Sequence, residues 1–289
     1  MLLRLFMRAI IIVWVFSDLK RLHVSSHLKD LGEVTTNWTE VLHDLEKRIV
    51  GGTPASLNQY PFNVQFINYG GLCGGSILTR KVVLSAAHCF DQNTNIAEMR
   101  VISNSRYIFD PDGTFHEVWD YILHEHYNET IVFSNDVAVI LIHDTFKFGP
   151  RVQRAVIANS DVWMKENETF VATGWGQVEY NGELAKGLMR AHLDYVVRDK
   201  CMAENKVVLS PDMFCLHGDG KRDTCKGDSG GGVLWKGIVV GIVSHGRGCA
   251  TTPSMYANVY YLKPWIDVAV KRLYRKFCNF HRNDKLYVR

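Results

Sequence analysis

The sequence lacks an uninterrupted apolar run long enough to cross a membrane. The run near the N-terminus, Ala9 to Phe16, is far shorter than the roughly 20 residues that a membrane-spanning helix needs. The chain also lacks a large excess of charge of one sign, because its formal net charge is only +3 over 289 residues. We therefore expect neither a stable membrane association nor a nucleic-acid partner.

Internal repeats of 20–50 residues and low-complexity segments are missing as well, which argues against solenoid and array architectures. The composition is that of a globular protein, with 47% hydrophobic and 22% charged residues, and the length suits one large domain or two small ones. Seven cysteines are an odd number, so at least one cysteine has no partner within the chain.

The N-terminal segment has the features of a secretory signal peptide. Arg4 and Arg8 precede the apolar run, and small residues follow it, so we expect residues 1–26 to be removed by a cut between positions 17 and 26. A signal anchor that stays in the membrane is the alternative. Three sequons, at Asn37, Asn128 and Asn167, agree with a secreted, extracellular glycoprotein. An oxidising compartment would also let the cysteines pair.

Residues 27–48 differ from the rest of the chain. They are polar, carry charges of both signs, contain no cysteine, and end in Glu46-Lys47-Arg48 directly before the apolar Ile49. A basic end before an apolar segment suits proteolytic processing. We therefore expect an activation propeptide over 27–48 and a separate domain over 49–289, although a solvated linker would have the same composition.

Beyond residue 48 the apolar residues occur in short runs rich in β-branched and aromatic side chains. Examples are Phe62–Phe66, Val137–Ile142 and Ile238–Val243, which are separated by Gly, Asn, Asp and Pro. Many short strands with turns between them predict an all-β barrel or sandwich. Pro264–Lys276 differs, because its apolar residues have nearly helical spacing after a proline, which predicts a C-terminal amphipathic helix.

Three motifs carry residue types that nucleophilic catalysis uses. Gly227-Asp-Ser-Gly-Gly231 surrounds Ser229 with glycines, which let the backbone turn sharply and present amide hydrogens to a substrate. His88 follows small residues in Leu84-Ser-Ala-Ala-His-Cys89, and Asp136 opens a run of strand residues. Singly, a tight turn with a surface serine explains the first motif about as well. A packed core histidine and a solvated turn residue or cap are the commoner explanations of the other two. Together, they occur in one of the three chain orders known for the Ser-His-Asp triad.

Four motifs resemble those of the trypsin/chymotrypsin family of serine proteases in sequence, order and separation. They are Ile49-Val-Gly-Gly52, Ala86-Ala-His-Cys89, Asp136-Val-Ala138 and Gly227-Asp-Ser-Gly-Gly231, and the resemblance extends from residue 49 to about 270. It implies an all-β fold of two packed antiparallel six-stranded β-barrels with a C-terminal α-helix. It also implies an active site in the cleft between the barrels that needs no metal and no cofactor.

The resemblance implies a role for each residue of that site. Ser229 is expected to be the nucleophile, His88 the base that takes its proton, and Asp136 the group that orients the imidazole. The backbone amides of Gly227 and Ser229 are expected to form the oxyanion hole, and Ser244 to hydrogen-bond Asp136. A catalytically silent homologue with a binding or regulatory role is the alternative. Such relatives usually lose a triad member, whereas this chain retains all three.

The resemblance also implies a zymogen that is cut after Arg48 by a trypsin-like protease or by the enzyme itself. The new α-ammonium of Ile49 is expected to turn inward and pair with Asp228. The other expected partners are protein or peptide substrates and protein inhibitors of proteases. The implied disulfides are Cys73–Cys89, Cys201–Cys215 and Cys225–Cys249, which leave Cys278 over.

Substrate specificity is expected to depend on Asp223, six residues before Ser229, at the base of the primary pocket. A carboxylate there would attract Arg or Lys, although a solvated loop aspartate is the alternative. Gly246 is expected to leave one pocket wall open. Ser254 stands where trypsin-like members usually have glycine, so we expect a shallower pocket. His245 replaces a usual tryptophan beside the substrate, and we expect it to titrate near neutral pH.

Overall fold

A computed structural model describes residues 50–284, which form mainly antiparallel β-strands. The expected fold of two six-stranded barrels with a C-terminal helix is confirmed. The predicted signal peptide, the predicted propeptide and the predicted cut between Arg48 and Ile49 lie outside the described residues.

The first barrel follows a two-residue strand, β1 (Thr53–Pro54). Its strands are β2 (Asn63–Asn68), β3 (Gly71–Ile77), β4 (Val82–Ser85), β5 (Met99–Ser103), β6 (Thr114–Leu123) and β7 (Ala138–Ile142). They close in the order β2-β3-β4-β7-β6-β5. The β-branched and aromatic runs of the sequence supply the fully buried interior, for example Phe66, Val83 and Ile140.

The second barrel is built from the C-terminal half of the described chain. Its strands are β8 (Thr169–Gly174), β9 (Met189–Val196), β10 (Met213–His217), β11 (Gly232–Trp235), β12 (Ile238–His245) and β13 (Ser254–Asn258). They close in the order β8-β9-β10-β13-β12-β11, and β1 adds to the free part of β9. A short helix, α1 (Arg198–Asn205), connects β9 to β10. In the core of the second barrel, Trp163 packs edge to face against both Phe170 and Phe214, and the two phenylalanine rings are tilted to each other.

The C-terminal helix, α2 (Val259–Asp284), starts five residues earlier than the sequence predicts. The Asn258 side chain caps it, because its Oδ1 accepts the N–H groups of Tyr260 at 3.0 Å and Tyr261 at 3.2 Å. Pro264 therefore lies inside the helix instead of at its first turn. Within residues 50–284, no helix combines the length and the apolar character that crossing a bilayer requires.

A row of hydrogen-bonded polar side chains lies in the first barrel at the end of β5 and the start of β6. His116 places Nδ1 2.8 Å from both carboxylate oxygens of Asp144 and Nε2 2.8 Å from the Ser103 hydroxyl. Ser103 and His116 are each only 2% exposed. The row satisfies the hydrogen-bonding groups of two buried side chains and connects Asp144, in the loop after β7, to the barrel.

Candidate active site

His88 and Asp136 are hydrogen bonded to each other at one end of the first barrel. His88 lies in the 3-10 turn Ala87–Phe90 directly after β4, and Asp136 lies between Asn135, in a left-handed conformation (φ 53°), and β7. The Nδ1 of His88 is 2.7 Å from one carboxylate oxygen of Asp136, and the His88 backbone N–H donates to the other at 2.9 Å. Both oxygens of this fully buried carboxylate therefore hold the same histidine.

Asp136 remains ionised although it is fully buried. Burial raises the pKa of Asp136. The charge and hydrogen bond of His88 and the hydrogen bond from Ser244 lower the pKa by more than burial raises it, so the net shift is downward. Ser244, on β12 of the second barrel, donates to Asp136 Oδ2 at 2.5 Å. Burial lowers the pKa of His88, yet the charges of Asp136 and Asp91 outweigh it and leave the His88 pKa raised. The imidazole is thus a stronger base than free histidine.

Ser229 lies in the loop between β10 and β11, where the second barrel touches the first. Its carbonyl accepts the Gly74 N–H at 2.7 Å. A Cβ on Gly230 would lie 2.3 Å from the hydroxyl oxygen of Ser85, three residues before His88, so only glycine permits this approach. The loop thus brings Ser229 to the end of the first barrel that carries His88. In the described part of the chain, no hydrogen bond joins the Ser229 hydroxyl to the His88 ring.

Two backbone N–H groups of the same loop, those of Gly227 and Ser229, have no acceptor within residues 50–284. The N–H groups between and after them, on Asp228, Gly230 and Gly231, are all bonded to carbonyl oxygens. Gly227 has a φ of 98°, which a residue with a side chain rarely adopts. Unpaired amides beside a nucleophile are able to stabilise an oxyanion.

Asp228 directly precedes Ser229 and is completely buried. Its carboxylate accepts the N–H of Gly176 at 2.7 Å and that of Cys225 at 2.9 Å, and no cation among residues 50–284 pairs with it. Burial raises its pKa to about 7, because the two amides only partly offset the loss of solvent. The buried carboxylate therefore lacks a positively charged partner within the described residues.

A cavity of about 180 Å³ opens beside Ser229, and Gly246 and Ser254 line it. Asp223 does not line this cavity and is fully buried. Its carboxylate accepts the N–H groups of Thr224 and Ala250 and the Ser254 hydroxyl, each at 2.8 Å. Burial raises its pKa to about 6. The Ser254 side chain thus occupies space next to Asp223 that a glycine would leave open.

The sequence model of the trypsin family matches residues 49–266. The chain belongs to this family. It is 31% identical over 234 residues to trypsin epsilon of Drosophila erecta, an alignment that covers 78% of this chain and 89% of the relative. Hypodermin-B of Hypoderma lineatum is 31% identical to it over 239 residues, which cover 80% of this chain and 91% of the relative. A venom serine protease of Polistes dominula is 30% identical over 223 residues, which cover 72% of this chain and 79% of the relative.

The protein is therefore a serine endopeptidase, a hydrolase of the trypsin family whose members act on protein substrates. The three disulfides that the resemblance implies are present in the structure of this protease. Cys73–Cys89 joins β3 to the turn that carries His88, and Cys225–Cys249 joins the two segments beside the cavity. Cys201–Cys215 joins α1 to β10. Cys278 is exposed on α2 and unpaired within residues 50–284.

The expectation that His245 titrates near neutral pH is wrong for this protease. Burial lowers its pKa to about 4, against the opposing charge of Asp136. The Phe133 ring covers it, stacked at 4.3 Å between ring centroids. The His245 Nδ1 is 3.1 Å from the Ser244 oxygen. Because the Ser244 hydroxyl donates to Asp136, the Nδ1 of neutral His245 carries the proton and donates to Ser244.

Two residues near the site have no signal in the sequence. Phe133 lies between the two imidazoles, stacked on His245 and edge-on to His88 at 5.7 Å. Phe133 has a left-handed backbone (φ 63°), which the sequence does not predict because aromatic residues rarely adopt it. Asp212 is buried and accepts the N–H of Asn135 at 2.7 Å, so the second barrel holds the residue before Asp136. Such contacts across 77 positions depend on the tertiary fold.

Proposed function

We propose that this chain is a secreted serine endopeptidase that cleaves after Arg or Lys and is made as a zymogen activated by a cut after Arg48. The observation that carries the proposal is the buried carboxylate of Asp136, whose Oδ2 is bonded to both His88 and Ser244, beside the loop of Ser229. The signal-like N-terminus and the three disulfides support secretion, because disulfides persist in oxidising compartments.

In the proposed mechanism Ser229 attacks the substrate carbonyl while the Nε2 of His88 takes its hydroxyl proton. Asp136 keeps the other proton on Nδ1, so that Nε2 is the basic atom, and stabilises the imidazolium that forms. His88 then gives its proton to the leaving amine, and water hydrolyses the acyl-enzyme by the same steps. The N–H groups of Gly227 and Ser229 would bind the oxyanion, where one donor is worth about 10²–10³ in rate.

Activation would depend on Asp228. The Val50 carbonyl accepts the Asp223 N–H at 3.3 Å, so the residue directly after Ile49 lies beside the loop of Asp223 and Asp228. This contact supports an inward path for the new N-terminus. An Ile49 α-ammonium would give the buried Asp228 carboxylate the cation that it lacks, and an uncompensated buried charge costs on the order of 3–5 kcal/mol.

This proposal predicts how the stability of the uncleaved chain depends on pH. The folded pKa of Asp228 is about 7, above the unfolded value near 4, so the folded state binds an extra proton between these values. The free energy of unfolding should therefore fall as pH rises from about 4 to about 7, by a few kcal/mol. Urea unfolding of an uncleavable Arg48→Gln chain measures this slope.

The control for this prediction is Asp228→Asn in the same Arg48→Gln background. Asparagine cannot ionise, so the larger part of the slope should disappear, and Asp223, whose pKa is raised to about 6, should account for most of the remainder. An unchanged slope in the Asp228→Asn chain would contradict the assignment to this carboxyl.

The pocket geometry predicts that Ser254→Gly will raise kcat/KM for peptides with Arg or Lys before the cut bond by about tenfold. This factor corresponds to the energy of one hydrogen bond to a charged group, here the bond from Ser254 to Asp223 that the substrate would replace. Glycine would open the pocket and free an oxygen of Asp223 for the substrate cation. Matched peptides with Arg, Lys or Leu at that position measure the effect. Ser254→Ala keeps Cβ but removes the hydroxyl, so its kcat/KM should lie between those of the wild-type and Ser254→Gly chains. A lower kcat/KM in both variants would show that Ser254 assists binding instead.

Three measurements test the proposed function as a whole. N-terminal sequencing of the secreted chain should give a start after position 17 in the precursor and at Ile49 in the processed form. Peptide-library profiling of the cleaved chain should show cuts after Arg and Lys. Failure of a fluorophosphonate to label the cleaved chain would favour the catalytically silent homologue.

A further inference from the structure

One of the three sequons, Asn128-Glu-Thr130, lies in the loop between β6 and β7 beside the candidate active site. Asn128 is exposed and has a left-handed backbone (φ 61°). Its N–H donates to the Ser134 carbonyl at 2.9 Å, and its Oδ1 accepts the Phe133 N–H at 3.0 Å. Because Oδ1 faces the loop, Nδ2 is the atom left over, and it has no partner within residues 50–284.

Phe133 connects Asn128 to the site, because its backbone N–H donates to Asn128 and its ring contacts both imidazoles. The Phe133 ring centroid is 5.7 Å from that of His88 and 4.3 Å from that of His245. The loop is also held at its base, because the Asn135 side chain donates to the His126 carbonyl at 3.1 Å. A group attached to Nδ2 of Asn128 would therefore stand at a defined place on the rim of the cleft.

We propose that Asn128 carries an N-linked glycan that screens the His245 side of the cleft from protein-sized ligands and admits short peptides. This inference rests on the proposed secretion and protease activity. The donor would be a lipid pyrophosphate-linked oligosaccharide: Nδ2 loses a proton and bonds to C1 of the first sugar, while the bond from C1 to the pyrophosphate oxygen breaks. The Oδ1 bond to Phe133 is compatible with the attached sugar, because only Nδ2 is substituted.

The size of the ligand decides whether the glycan matters. A protein inhibitor of a protease covers about 800 Å² on each partner, which includes the rim around the cleft. A short peptide occupies the cleft alone. N-linked glycans are bulky surface groups, so one at Asn128 would overlap the footprint of a protein but not that of the peptide.

A second sequon supplies a matched control. Asn167 is also exposed and left-handed (φ 66°), but it lies in the turn before β8, next to Glu168, which bonds Trp235. None of the side chains described above as part of the site bonds to it. A glycan there should leave access to the cleft unchanged.

The test uses the full chain expressed through a eukaryotic secretory pathway and cleaved after Arg48. Thr130→Ala removes the sequon but keeps the Asn128 bond to Phe133, so it is preferable to Asn128→Gln. Asn167→Gln is the control. For each chain we would measure the intact mass with and without peptide-N-glycosidase, kcat/KM for a short arginine peptide, and the association rate constant of a Kunitz-fold trypsin inhibitor.

Thr130→Ala is expected to lose one glycan, keep its peptide kcat/KM, and associate with the inhibitor about tenfold faster. Asn167→Gln should lose one glycan and change neither constant. A wild-type chain without a glycan at Asn128 would overturn the proposal, as would an unchanged association rate in Thr130→Ala. Inhibitor binding does not need hydrolysis, so chains that bind but never cleave would reject the proposed function and still decide on the glycan.

Discussion

Replacing Ser229 with Ala is expected to lower kcat for a peptide ester by about 10⁶-fold without destabilising the fold. The hydroxyl is the proposed nucleophile, and its loss leaves His88 and the oxyanion amides with nothing to activate. The side chain forms no hydrogen bond within residues 50–284, so thermal unfolding should be nearly unchanged. Steady-state kinetics, fluorophosphonate labelling and the melting temperature of the cleaved chain measure the three quantities.

Ser103→Ala is the matched control, because Ser103 is a second serine beside a histidine that is bonded to an aspartate. It should keep full labelling and activity and lose about 1–3 kcal/mol of stability, because it leaves the buried Nε2 of His116 without its partner. Labelling of the Ser229→Ala chain at the wild-type level would reject Ser229 as the nucleophile.

The second large effect is expected for Asp223→Asn, which should lower kcat/KM for peptides cut after Arg or Lys by about 10²–10³-fold. A substrate cation would then lose its ionic partner in a buried site, at a cost on the order of 3–5 kcal/mol. The kcat/KM for peptides cut after Leu should change much less. The quantity to measure is therefore the ratio of kcat/KM for peptides cut after Arg or Lys to kcat/KM for peptides cut after Leu.

Asp219→Asn controls for the loss of a nearby charge, since Asp219 is exposed and pairs with Arg222 at 3.0 Å on the surface. It should leave the ratio unchanged. An unchanged ratio in Asp223→Asn as well would mean that Asp223, which does not line the cavity, acts only as a hydrogen-bond acceptor in its loop.

The fold was predictable because two independent signals agree. The short β-branched runs predict strands, and the observed β2, β7 and β12 overlap the predicted segments Phe62–Phe66, Val137–Ile142 and Ile238–Val243. The four motifs then selected a family. The start of α2 was not predictable from Pro264, because the cap that begins the helix is a side chain before it, Asn258.

The chemistry of the site was only partly predictable, because pKa values depend on burial. His245 looks titratable in a sequence, but burial in the fold, where the Phe133 ring stacks on it, keeps it neutral. The roles of Phe133 and Asp212 as neighbours of the site depend on contacts between distant segments. Ser254 was recognisable as an intruding residue because the family pattern has glycine there, and the structure places its hydroxyl against Asp223.

The row of Ser103, His116 and Asp144 has a consequence for recognising nucleophiles by atomic distance. Ser103 has its oxygen 2.8 Å from an imidazole nitrogen, whereas the Ser229 hydroxyl has no such bond in the described residues. A distance template for a serine, a histidine and an aspartate would therefore rank the wrong serine first in this protein. The two serines differ in their accessibility to a substrate. Ser103 is buried in the first barrel, whereas Ser229 lines a cavity and lies beside unpaired backbone amides.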